Sequence, residues 1–188
     1  MTRIVAGQAR GRRLAVPPRG TRPTSDRARE GLFNTLSVEL ELSGARVLDL
    51  FAGSGAVGLE ALSRGAAAVV LVESDRQACA VIEVNIAALG LPGATVRRCE
   101  VAGYLDSGAD GPFDLVFADP PYALAAEQVA RLLDALAGER WLRPGAMLVL
   151  ERSARDPEPN WPATITALKH RRYGEGCLWY GRRASNGG

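Results

Sequence analysis

From residue 46 onward, apolar segments of strand length alternate with segments whose apolar residues recur at helical spacing, and this alternation restricts the fold more than any other feature. Strands are expected at about 46–50, 68–73, 95–99, 113–118 and 146–151, separated by helices at about 56–64, 75–89 and 124–137. In the second helix Ala78, Val81, Ile82, Ile86 and Leu89 share a face; in the third Val129, Leu132, Leu133 and Leu136 do. Parallel neighbours need crossover connections, so the alternation implies an α/β fold with a mainly parallel sheet covered on both faces. The last stretch leaves the pattern. Thr164–Leu168, then Gly174-Glu175-Gly176, then Cys177–Tyr180 reads as a C-terminal hairpin added antiparallel at the edge, for seven strands altogether.

Ahead of the repeat, Arg3–Gly7 and Arg12–Val16 read as two short strands joined by a Gly/Arg turn, with Pro17 and Pro18 ending the second. The chain then passes Pro23 to a helix that either Ser25 or Asp26 is suited to cap. Its apolar stripe is Ala28, Leu32, Leu36 and Leu40, and its other face carries Arg27, Glu30 and Asn34. With 188 residues there is room for one domain with a sizeable core, hence one active site. The expected division is a basic hairpin and linker over 1–24, the main domain over 25–183 and a disordered tail over 184–188.

Composition removes several classes of function. No apolar run approaches a membrane span, and Arg3, Arg10, Arg12 and Arg13 are not followed by the apolar block of a secretory signal, so a cytoplasmic address is expected. Cys79, Cys99 and Cys177 are far apart and His170 is the only histidine, which supports neither a disulfide framework nor a metal site. His170 sits among Lys169, Arg171 and Arg172, where a neutral imidazole base is not favoured. Charge is unevenly spread: residues 1–34 hold eight arginines against Asp26 and Glu30, or +6, while the rest of the chain holds 15 basic and 19 acidic side chains, or −4. A basic arm on a mildly acidic body suits a polyanionic partner, and equally a solvated charged surface.

The first strand of the repeat continues as Leu48-Asp49-Leu50-Phe51-Ala52-Gly53-Ser54-Gly55, and Gly58 follows, so the three glycines spell G-x-G-x-x-G at a strand-to-helix turn. Glu73 closes the next strand. In an open α/β sheet such a turn lies at the carboxyl ends of the strands, where ligands bind. Glycine lets the backbone approach a cofactor closely, and a carboxylate ending the second strand can accept both hydroxyls of a ribose. An adenosine-containing cofactor is therefore expected. Asp49 would repel a pyrophosphate and attract the ammonium of a methionine moiety, which favours S-adenosylmethionine over a nicotinamide dinucleotide. Phe51, Ser54 and Ser74 are assigned to the same site.

Asp119-Pro120-Pro121-Tyr122 follows directly on the apolar strand Phe113–Ala118. Two prolines cannot extend a sheet, so the chain is fixed in an extended turn at the same rim. The Asp119 carboxylate and the Pro120 carbonyl become two converging acceptors, suited to the two N–H groups of a planar amine, with the Tyr122 ring available to stack on the base that carries it. Methyl transfer from sulfonium to nitrogen is an in-line displacement, for which alignment and desolvation supply much of the rate and no metal is needed.

These motifs resemble those of class I amino-methyltransferases, which have a Rossmann-like fold. The N-terminal Arg3-Ile4-Val5-Ala6-Gly7, Arg10-Gly11-Arg12-Arg13-Leu14 and Arg22–Asn34 segments further resemble the RsmD family, bacterial enzymes that methylate guanine N2 in small-subunit (16S) ribosomal RNA. The resemblance runs from Arg3 to about Tyr180. It implies Asp49, Gly53 and Gly55 around the methionine end, Glu73 on the ribose, and Glu100 with Val101 near the adenine, although the family often has Asp or Asn followed by Ala there. It implies phosphate contacts from Arg3, Arg10, Arg12, Arg13, Arg22 and Arg27, with Thr24, Arg29, Glu30 and Asn34 lining the pocket. The implied partner is ribosomal RNA, alone or in a partly assembled small subunit, bound by a monomer.

Three other readings compete. An adenine-N6 methyltransferase acting on DNA or RNA would want the same clamp, but the chain has little room for a separate target-recognition domain. A nicotinamide-dependent oxidoreductase would leave Asp119–Tyr122 idle and place Asp49 badly. A catalytically inactive RNA-binding module would not need both motifs intact.

Overall fold

The structure, a computed structural model, describes residues 2–18, 24–108 and 110–186. In chain order its elements are β1 (Thr2–Arg3), β2 (Arg13–Leu14), α1 (Asp26–Glu39), β3 (Arg46–Leu50), α2 (Ala56–Ser63), β4 (Ala68–Glu73) and α3 (Arg76–Leu89). There follow β5 (Ala94–Arg98), α4 (Val101–Ser107), β6 (Phe113–Ala118), α5 (Ala126–Leu136), β7 (Leu142–Ser153), β8 (Ile165–Tyr173) and β9 (Gly176–Arg183). The main sheet has seven strands in the order β5-β4-β3-β6-β7-β9-β8. Its first five are parallel, and β9 runs antiparallel to both β7 and β8.

Side-chain alternation along β3 divides the core in two. Leu48 and Leu50 face the layer of α4 and α5, where they meet Val101, Leu105, Val129 and Leu133. Val47 faces the layer of α1, α2 and α3 with Leu32, Phe33, Val57 and Ile82. Both faces being covered, the central strands read as nearly continuous apolar runs.

Ser25 is the cap of α1, its side chain accepting from the Ala28 amide at 3.1 Å. Asp75 does the same for α3 at 2.8 Å.

The hairpin β1–β2 is shorter than the sequence suggests and is docked on the main domain rather than projecting from it. A two-residue ladder is too small to hold itself together. Ile4 and Leu14 are fully buried with Leu59 and Leu89, and burial of each such side chain contributes about 1.5–3 kcal/mol. The fully buried Glu60 of α2 accepts from the Val5 amide at 2.9 Å and the Ala6 amide at 3.0 Å. Asn85 of α3 binds both the amide and the carbonyl of Ala15, at 2.8 and 3.0 Å.

Other departures from expectation have plain causes. α4 is an additional helix that the periodicity does not predict, because only Val101, Tyr104 and Leu105 mark its buried side, too short a stripe to show a period. β7 begins at Leu142 and passes through Pro144 and Gly145, and β8 continues through a polar run to Tyr173 because it lies at the sheet edge. Of the expected tail, Ala184, Ser185 and Asn186 are exposed and outside regular elements, while 187–188 lie outside the described residues.

Candidate active site

The strand order reverses at β3, which has β4 on one side and β6 on the other, and this switch point is where open α/β sheets bind ligands. In parallel register Leu50 stands opposite Ala118, so the glycine turn and the proline-locked turn leave adjacent strands at the same end. The Asp119 amide donates to the Leu50 carbonyl at 3.3 Å. Between the turns lies a cavity of about 540 Å³, within the range that holds small cofactors.

The first turn is tight. Phe51 has φ 59°, a left-handed conformation that costs a bulky side chain on the order of 1–3 kcal/mol. The next residues hold it there: the Ala52 amide donates to Val72 O at 3.0 Å and the Gly53 amide to Glu73 Oε2 at 2.8 Å. Gly55, at φ 80°, swings the chain into α2. At Gly58 a Cβ would stand 2.8 Å from Val69 and 3.1 Å from Asp49 Oδ2, so only glycine lets α2 lie this close to the sheet.

Asp49 is 1% exposed and accepts from the Gly58 amide at 2.9 Å. Burial pushes its carboxyl up to about 8; the Gly58 bond opposes this and the charge of Glu73 adds to it. A desolvated carboxyl of this kind suits a ligand cation and disfavours a pyrophosphate. Glu73 Oε1 also accepts from the Asp75 amide at 3.0 Å, and each carboxylate oxygen retains acceptor capacity for a hydroxyl. The donor set therefore fits an adenosine cofactor with an aminoacyl tail.

Thr24, Asp49, Phe51, Gly53, Ser54, Glu73, Ser74 and all of Asp119–Tyr122 line the cavity. Gly55 is not among the lining residues: it faces Leu71 and Ile82 where the chain turns into α2. Several expected residues are elsewhere. Glu100 is exposed at the start of α4 and Val101 packs into the core beside Val72, so neither lines it. Arg29 does not line it either: fully buried, it donates to Thr2 Oγ1 at 2.9 Å, to the Arg3 carbonyl and to Asp26 at 3.0 Å, tying α1 to the hairpin. Arg27, Glu30 and Asn34 are exposed on α1 outside the cavity. Arg3, Arg10, Arg12 and Arg13 are exposed on the hairpin, with Arg12 reaching the Ala88 carbonyl at 2.6 Å. Arg22 lies outside the described residues.

Sequence reasoning missed two neighbours. Glu151, near the end of β7, lines the cavity and accepts from Thr24 Oγ1 at 3.1 Å. The buried Arg152 turns back under the second turn, donating to the carbonyls of Pro121 at 3.0 Å, Tyr122 at 3.4 Å and Leu124 at 3.0 Å. The available signal was two charged residues at the end of an apolar parallel strand, at the rim where ligands bind.

Strand order, glycine turn and proline-locked turn together define a Rossmann-like methyltransferase. A family model described as conserved hypothetical protein 95 matches residues 2–182, and the chain belongs to this family, the RsmD family. The ribosomal RNA small subunit methyltransferase D of Escherichia coli K12 is 40% identical over 163 residues, 86% of this chain and 79% of that protein. The protein of the same name from Haemophilus influenzae is 38% identical over 177 residues, 92% of this chain and 89% of its own length. Among solved structures, a putative methyltransferase from Escherichia coli superposes with a TM-score of 0.84 at 36% identity, covering 98% of this chain and 99% of that one.

Among the described residues no group of His, Cys, Asp or Glu could hold a metal ion, and no helix is long and apolar enough to cross a membrane.

Proposed function

We propose that the protein uses S-adenosylmethionine to methylate the exocyclic N2 amine of a guanine in small-subunit ribosomal RNA, in the compartment where ribosomes are assembled, the cytoplasm. One observation carries the reading: the buried carboxyl of Asp49 and the Asp119–Tyr122 turn open into a single cavity. When bound, the cofactor supplies a sulfonium methyl. Asp49 holds the aminoacyl ammonium and Glu73 the ribose hydroxyls. Asp119 and the Pro120 carbonyl each accept one N–H of the amine, which aims the nitrogen lone pair along the line of displacement. Tyr122, 37% exposed at the mouth, is placed to stack on the displaced base. The proton lost on methylation passes to the Asp119 carboxylate, or from it to water. Arg152 keeps the clamp in place through the three carbonyls behind it.

The substrate assignment rests on relatives named as ribosomal RNA small subunit methyltransferases, at up to 40% identity. The hairpin arginines are assigned to RNA phosphates and residues 1–24 to RNA binding. Mapping methylated nucleosides of ribosomal RNA from cells lacking this protein tests the assignment. Loss of one N2-methylguanosine from the small-subunit RNA is expected; an unchanged N2-methylguanosine profile with loss of an N6-methyladenosine would transfer the clamp to adenine.

A further inference from the structure

The sequence directs attention to the N-terminal arginines, yet the cavity mouth has a second flank. On one side the chain leaving β2 reaches it through Val16 and Pro17. On the other stands the β8–β9 turn: Gly176 pairs with both Ser153 and Tyr173, and a Cβ on Gly176 would lie 3.1 Å from the Tyr122 hydroxyl. The C-terminal end of β8 therefore stands beside the Tyr122 flank of the cavity, without lining it.

This end carries unmatched positive charge. Lys169 and Arg182 both pair with Glu39, at 2.7 and 2.8 Å, and Arg183 pairs with Glu139 at 3.4 Å. Arg171 and Arg172 are exposed and, among the described residues, form no salt bridge; Arg171 donates only to the neighbouring His170 carbonyl, at 3.0 Å. As successive strand residues, opposite Leu178 and Cys177, they leave the strand toward opposite faces of the sheet. Charged side chains on an edge strand also guard against edge-to-edge pairing, but the paired Lys169 already stands in mid-strand for that duty. The excess sits instead at the end nearest Tyr122.

We infer that Arg171 and Arg172 form a second RNA-phosphate contact, so that the substrate strand spans the mouth from the hairpin to the β8 edge and presents its target base between the two. This rests on the function proposed above. Guanidinium groups at a strand end can each bind a phosphate oxygen pair, a polyanion needs such contacts on both sides of a displaced nucleotide to hold it open, and exposure lets them act without loss of existing pairs.

The test is binding of deproteinised small-subunit ribosomal RNA to the full chain at 50 and 200 mM salt, using an Arg171→Gln/Arg172→Gln double variant and Arg131→Gln on α5 as control. Losing two phosphate contacts should weaken binding about tenfold at the lower salt and flatten the log–log salt slope by about 1.4, with cofactor affinity unchanged. The control should match the unaltered chain. Unchanged affinity and slope in the double variant would overturn the inference while leaving the methyltransferase reading intact. So would retained affinity for naked RNA with methylation lost only on assembled subunits, since the strip would then contact an acidic ribosomal protein. An unaltered chain that neither binds nor methylates ribosomal RNA would overturn both.

Discussion

Asp49 concentrates the physical conflict of the site in one side chain. It is enclosed by β3, α2 and Gly58, with one amide bond and almost no solvent, so its carboxyl stays protonated to about pH 8. The ordinary value is 3.8, so between pH 4 and 8 the folded chain holds a proton that the unfolded chain has lost. Asp49 thus stabilises the fold fully below pH 3.8, and that contribution is lost as pH rises through 8. Bringing a ligand ammonium against it reverses the preference and drives the proton off. Calorimetry of cofactor binding at pH 7, repeated in buffers of different ionisation enthalpy, should register about one proton released per site, falling toward zero in Asp49→Asn. Equal release by both proteins would remove Asp49 from the ammonium site. The sequence marked Asp49 by its position before a glycine turn; that it would be buried rather than solvated depends on how closely α2 approaches, which Gly58 alone does not reveal.

The two turns do opposite things with their backbone. The glycine turn is held from in front, by Glu73 on the Gly53 amide, and the proline turn from behind, by Arg152 on three carbonyls. Prolines were legible as stiffness, but stiffness fixes only the shape of a turn and not where it points. Its aim comes from β7, whose last residues run past the end of β6 to the turn that follows it, a long-range contact that the prolines themselves do not signal. Arg152→Met should therefore lower kcat by about 10²-fold with little change in KM for the cofactor, the penalty for a misplacement of about 1 Å. Arg152→Lys should not restore the rate, because one ammonium cannot serve three carbonyls held in a fixed fork. A parallel fall in folding stability and cofactor affinity, with kcat preserved, would assign Arg152 to structure alone. At the same scale, helical and strand periods located the repeat from residue 46 to 151, whereas α4 and the polar half of β8 escaped for want of a sustained apolar stripe.

Across the whole molecule, residues far apart in sequence meet at one rim because parallel strands deliver all their carboxyl ends to the same side. That much was legible: Asp49 lies near the end of one predicted strand, Glu73 closes the next and Asp119 directly follows another, and all three line one cavity. The roles of the arginines were not. Arg29, expected to line the pocket, is buried between α1, the hairpin and Glu60, while Arg171 and Arg172, which the sequence offered only as charges around His170, are placed by β-sheet pairing near the C-terminal end of β8. Only tertiary pairing tells a solvated arginine from a buried or rim-placed one. The measurement that bears most directly on the account is transfer of labelled methyl from S-adenosylmethionine to small-subunit ribosomal RNA by the unaltered chain and by Asp119→Ala, with cofactor affinity measured on both. Transfer should vanish in the variant while its cofactor affinity stays within a few-fold, roughly 1 kcal/mol. Turnover retained by Asp119→Ala at a rate near that of the unaltered chain would contradict the account, since the amine would then be aimed by something other than the proline-locked turn.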